Sequence, residues 1–191
     1  MTIRPGEEWG TQVPAPADVV WVESDHDIVT TTAPVALGGG DVHRSVGAPR
    51  RRDPVQRVEI DGLRVVVDGG AERWAVAHVV ARRSWWRGRI VAVMNVDHLG
   101  DWYVAPRGHP NDGVFDVVEV AAEMPLRQRL FARSRLPTGA HVPHPMITTV
   151  RDRRRTWTFD RDLDIWIDGI RTDRGRSLAV EIVPDRYTVH F

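Results

Sequence analysis

The 191-residue sequence contains no cysteine and no lysine. Without cysteine there is no disulfide, no zinc–thiolate site and no thiol nucleophile. Cysteine pairing therefore says nothing about redox compartment. Without lysine there is no ammonium nucleophile and no Schiff-base chemistry. All 26 basic residues are arginine, a bias that GC-rich coding accounts for. No apolar run approaches the ~20 residues of a membrane-spanning helix. The opening MTIRPGEEWG carries charge and proline where a signal peptide needs an apolar stretch. These absences predict a cytoplasmic protein. Charge of one sign is lacking too: 26 acidic residues balance the 26 arginines, which argues against a bulk nucleic-acid binder.

What is present is a core. Hydrophobic residues make up 42% of the chain, enough for one domain with a small appendage. The first 16 residues read as an irregular arm. Val19–Val22 is a short apolar run suited to a buried strand, and Ser24 and Asp25 cap a short helix through Thr31. Pro34–Leu37, the triple glycine 38–40 and Asp41–Gly47 then read as strand, loop and helix, an α/β fragment. A boundary falls near residue 50, giving an N-terminal arm and α/β remnant over 1–50 and a β-sandwich over 51–191. Val58–Ile60 and Leu63–Val67 flank Asp61-Gly62, a hairpin-turn signal. Further strands are predicted at 74–81, 89–94, 114–120, 147–150, 156–159, 164–167, 177–182 and 187–191. Many short strands between turn residues indicate a sandwich or barrel. Leu126, Leu130 and Phe131 mark an amphipathic helix starting at Pro125.

Several motifs carry chemistry, each with a plainer alternative. Gly38, Gly39, Gly40 and Asp41 follow a strand and precede a helix, where backbone amides can cradle phosphate. Asp41 would repel phosphate, and a tight turn with Asp41 as cap is the plainer choice. His109-Pro-Asn-Asp112-Gly113 suits Mg²⁺ or Ca²⁺ through a carboxylate and converging carbonyls. On local chemistry alone an Asx-type turn, with Asp112 bonding backbone amides and Gly113 supplying a permissive φ, is the better explanation. His141 and His144 have an H-x-x-H spacing, but extended backbone sends them to opposite faces. Asp25-His26-Asp27 is similarly weak, and zinc is not expected. Asp168-Gly169 ends a strand on a carboxylate that could act as general base, or simply forms the turn. The arginine runs at 50–52 and 153–155 read as solvated.

In order along the chain, these pieces resemble the diacylglycerol kinase-like lipid kinases, in the superfamily of NAD kinase and sphingosine kinase. Val35-Ala-Leu-Gly-Gly-Gly-Asp41-Val-His-Arg44-Ser-Val-Gly47 looks like the family's P-L-G-T-G-N-D-F-A-R-x-L-G segment. Asn95–Gly100, Ala105-Pro106 and Asn111-Asp112-Gly113-Val-Phe-Asp116-Val117 are similar to its N-x-x-x-x-G, A-P and D-G-L-L-D-V elements. Gly139-Ala-His141 with His144-Pro145 resembles G-x-H. Asp168-Gly169 stands where the family has D-G-E, and Pro184 begins a last strand.

The resemblance implies a C-terminal β-sandwich, with ATP bound by an N-terminal domain carrying G-G-D-G-T. It implies Asp168 as the base that deprotonates a lipid hydroxyl. It also implies a structural Mg²⁺ at Asp112, with carbonyls from His109 and Val114. Three departures count against ATP and catalysis: G-G-D-G-T is absent, Gly40 replaces Asn, and Ile170 replaces the Glu of D-G-E. Phosphoryl transfer rests on positioning and metal-assisted charge stabilisation. The expectation is a truncated, non-catalytic binding or regulatory module, a pseudokinase whose ligand is a lipid or a nucleotide. The alternative is an ATP-dependent lipid kinase whose nucleotide-binding half comes from a homodimer mate or a separate chain. Either protein would be cytoplasmic or peripheral to the membrane, without a transmembrane segment.

Overall fold

The computed structural model describes residues 9–47 and 53–191. The boundary near 50 and the arginine run 50–52 lie outside the described residues. The chain runs β1 (Thr11–Val13), β2 (Val20–Val22), α1 (Asp25–Thr30), β3 (Val35–Leu37), α2 (Gly40–Ser45), β4 (Val55–Val67), β5 (Arg73–Ala75), β6 (His78–Arg82) and β7 (Ile90–Met94). It continues through β8 (His98–Leu99), β9 (Trp102–Tyr103), β10 (Phe115–Val120), α3 (Leu126–Arg135), a 3₁₀ turn (Leu136–Thr138), β11 (Ile147–Asp152), β12 (Arg154–Ile167) and β13 (Ile170–His190).

The fold is mostly strand, and one large sheet dominates it in the order β1-β4-β13-β12-β6-β7-β10-β11. Leu63 on β4 and Phe115 on β10 stand near opposite ends of that order, yet both lie fully buried in one core with Trp157 and Ile165. The sheet therefore folds over on itself as a β-sandwich. All its pairings are antiparallel except two: β2 with β3, and β3 with β13. Those two attach the N-terminal segment. Ser24 caps α1 by accepting from the Asp27 amide, as its residue type predicts. The expected α/β fragment is present, while the expected irregular arm includes β1, paired with β4.

Asp61-Gly62 is not a hairpin turn. β4 runs straight through it, because Asp61 is fully buried and its carboxylate accepts from the amides of Gly113 (2.8 Å) and Asp185 (3.0 Å). A methyl group on Gly62 would lie 2.9 Å from Cβ of Arg186, so the glycine serves close approach to β13. The residues expected to separate 156–159 from 164–167, and 177–182 from 187–191, are register shifts within β12 and β13. A bulge bends a strand without ending it.

α3 presents the reverse of its expected face. Leu126, Leu130 and Phe131 are 53%, 50% and 53% exposed, while Arg129 and Ala132 are buried. The reason is Arg129. Its guanidinium donates to the carbonyls of Met124 (2.9 Å), Gly88 (2.6 Å) and Ala121 (2.8 Å), which tie the helix to the β6–β7 loop and the end of β10. Charge-assisted hydrogen bonds to these carbonyls outweigh the burial of a few leucine methyls. Replacing Arg129 with Met is expected to lower stability by about 2–3 kcal/mol in urea denaturation, because those carbonyls lose their donor.

Candidate functional site

Asp168 sits in the turn between β12 and β13 with φ of 46°. Its side chain points inward. One oxygen accepts from the Val76 amide (2.9 Å), and the other from the amides of Ala77 (2.9 Å) and His78 (3.0 Å). Burial raises its pKa above the ordinary carboxylate range, with His78 and these amides opposing the rise. In this arrangement the carboxylate holds the β5–β6 connection against the β12–β13 turn.

His78 carries the network onward. Its Nε2 lies 3.1 Å from Oδ2 of Asp41. Oδ1 of Asp41 accepts from the Gly100 amide at 2.9 Å. Burial disfavours the charged form of Asp41, but the bonds from His78 and Gly100 keep its pKa below the usual range. Burial likewise opposes a charged His78, yet Asp41, Asp168 and Asp25 together raise its pKa. Asp25, which sequence reasoning assigned only a capping or weak metal role, accepts from the amides of Asp41 (2.7 Å) and Val42 (3.0 Å). Burial and the neighbouring Asp168 push its pKa up to about 6.

The glycine loop lies beside this network, covered by an acid. A methyl on Gly38 would lie 2.6 Å from Oε1 of Glu23, and one on Gly39 would lie 3.1 Å from its Oε2. A methyl on Gly40 would meet Oδ1 of Asp25 at 2.4 Å. Gly38, Gly39 and Gly40 thus face two carboxylates, and Asp41 spends its own on Gly100 and His78. Glu23 was missed because nothing in its local sequence marks it; only the β2–β3 pairing brings it over the loop.

The 109–114 loop lies elsewhere. Asp112 forms an ion pair with Arg151 and accepts from the Val114 amide at 3.3 Å. The His109 ring packs edge-on against Trp9, and its Nδ1 accepts from the Asn111 amide at 3.2 Å. The Arg151 guanidinium supplies the positive charge that a divalent cation would bring, so the loop in this arrangement does not fit Mg²⁺. Among the described residues no three His, Asp or Glu side chains converge as a metal set.

A cavity of about 90 Å³ opens between α3 and the strands beneath it. Its lining is apolar: Ala92, Leu99, Val104, Val118 and Ile147 form much of the wall. His141 is buried at its edge; burial lowers its pKa, and the Val104 backbone opposes the shift. His144 instead accepts from the Met146 amide. The spaced apolar residues on β7 and β10 could not reveal a cavity, because they look the same whether packed or lining a void.

Two outcomes follow. Each buried amide left without an acceptor costs about 1–3 kcal/mol. Asp168→Ala is therefore expected to lower stability by about 3 kcal/mol or more in chemical denaturation, and Asp168→Asn by less. Asp25 and Asp61 are each raised from 3.8 to about 6, for Asp61 chiefly by burial. The folded state thus binds their protons more tightly than the unfolded state, and their contribution to stability is lost as pH rises from about 4 to 6. His78, also raised, extends the fall above its ordinary range. Asp61→Asn should remove its share of that slope, up to about 3 kcal/mol, read as a flatter curve of Tm against pH.

The fold and these placements can be set beside known proteins. No curated protein matches the sequence. Three solved structures from Bacillus anthracis str. Sterne are similar in fold. One, a diacylglycerol kinase, is 14% identical with a TM-score of 0.53, over 90% of this chain and 74% of its own. Two others carry that kinase name only provisionally. They are 13% and 14% identical, with TM-scores of 0.54 and 0.55, over 90% of this chain and 76% and 77% of theirs. Residues 53–190 match the family described as the YegS C-terminal NAD kinase beta sandwich-like domain. The chain therefore belongs to that family of NAD kinase-like beta-sandwich domains.

Proposed function

We propose that this chain is a non-catalytic, membrane-peripheral module that keeps the lipid-kinase sandwich and binds an apolar ligand beneath α3. The observation that carries the reading is the Glu23 carboxylate lying across Gly38 and Gly39. Phosphate oxygens approaching the amides there would meet the negative charge of Glu23 at contact distance. Asp168 supports the same reading. A general base needs a lone pair aimed at the proton it removes, whereas both oxygens of Asp168 already serve backbone amides. A structural Mg²⁺ at Asp112 would first have to displace Arg151. The cavity has the apolar lining of a small-ligand pocket and carries few polar groups to orient chemistry.

The test is in two parts. Mg-ATP, and Mg²⁺ alone, are expected to leave Tm unchanged. Organic extraction of the purified protein is expected to release a co-purified lipid by mass spectrometry. That lipid should be lost from an Ala92→Phe variant whose side chain fills the cavity. A clear stabilisation by Mg-ATP, or phosphoryl transfer to diacylglycerol or a sphingoid base, would overturn the non-catalytic reading. Equal lipid recovery from the filled variant would overturn the cavity assignment.

A further inference from the structure

The outward face of α3 is where the surface departs most from what a soluble sandwich needs. Leu126, Leu130 and Phe131 are each half exposed or more, and Trp86 beside them is 38% exposed. Leu126, Leu130 and Trp86 line one shallow depression together. This is a contiguous apolar surface, unlike the isolated exposed Val150 or Ile170.

Charge is distributed just as unevenly. α3 has no acidic residue. Many arginines elsewhere on the surface meet a carboxylate, including Arg44, Arg64, Arg73, Arg89, Arg151 and Arg171. Arg87, Arg127, Arg133 and Arg135 surround the apolar face, and among the described residues none of them makes an ion pair. Two of them lie over aromatic rings instead: Arg133 over Trp86 at 4.9 Å and Arg135 over Phe131 at 3.9 Å. In a chain of zero net charge, a local excess of guanidinium has thus been left around its most exposed hydrophobic side chains.

We propose that this face docks on an anionic lipid bilayer, with Leu126, Leu130, Phe131 and Trp86 entering the headgroup–acyl boundary and the four arginines at the level of the phosphates. Arginine suits that level, since its stem can lie along apolar surface while the guanidinium bonds phosphate oxygens. A second copy of the chain fits poorly, because a two-fold contact would set the same four unpaired arginines against themselves. The inference rests on the membrane-peripheral reading and names the surface responsible. It does not depend on what fills the cavity, although docking would place α3, the roof of that cavity, at the bilayer.

Co-sedimentation with phosphatidylglycerol vesicles tests it, beside phosphatidylcholine vesicles and over a salt series. The wild type should bind the anionic vesicles, and rising salt should weaken binding. The triple variant Leu126→Gln, Leu130→Gln, Phe131→Gln alters only exposed positions. It should keep the wild-type Tm and bind about tenfold or more weakly. Arg127→Gln with Arg133→Gln should also weaken binding by about tenfold, and should reduce the salt dependence. No wild-type binding to either vesicle would overturn the membrane reading itself. Anionic binding that both variants keep would overturn only the assignment to α3. Equal binding to neutral vesicles would overturn the role of the arginines. A wild-type dimer in sedimentation velocity that the triple variant loses would overturn the bilayer as occupant in favour of a second copy.

Discussion

A buried carboxylate without partners is among the most costly groups a fold can carry, and Asp168 is made tolerable by three consecutive amides. Those amides belong to residues 76–78, the short link between β5 and β6. With the link fixed, the His78 ring is set toward Asp41, and Asp41 in turn holds Gly100. Asp25 then closes the arrangement by capping the start of α2 through two amides. Four ionisable side chains, none near the surface chemistry of an open site, thus fasten the N-terminal segment to the sandwich. The three carboxylates among them, Asp168, Asp41 and Asp25, all accept from backbone amides.

Much of the strand content was legible because β-branched and apolar runs bounded by turn residues have few other uses. The α/β fragment was legible for a similar reason: Ser24 caps a helix by local chemistry, and a run such as Val35-Ala-Leu37 has to be buried. What failed to read through depended on distant partners. Asp61-Gly62 looks like a hairpin turn until Gly113 and Asp185 arrive to bond the carboxylate. Leu126, Leu130 and Phe131 look like an inward face until Arg129 finds the carbonyls of Met124, Gly88 and Ala121.

The candidate site was legible in its residues and not in their roles. Gly38–Asp41, Asp112 and Asp168 were all identified from local sequence. Their surroundings are set by Glu23, Arg151 and the amides of 76–78, which lie 15 or more residues away along the chain. A motif records where a functional group stands. Whether that group is free to act is settled by what else reaches it.

The parallel pairing of β3 with the end of β13 has a consequence for how the chain is made. Val35 and His190, joined by a hydrogen bond from the ring to the carbonyl, lie 155 residues apart. The α/β segment leaves the ribosome well before the strand it must pair with, which lies 155 residues further along the chain. Until then its apolar β2 and β3 have no sheet to complete, and contacts this distant form slowly. β3 can therefore complete its sheet only once the strand carrying His190 has formed.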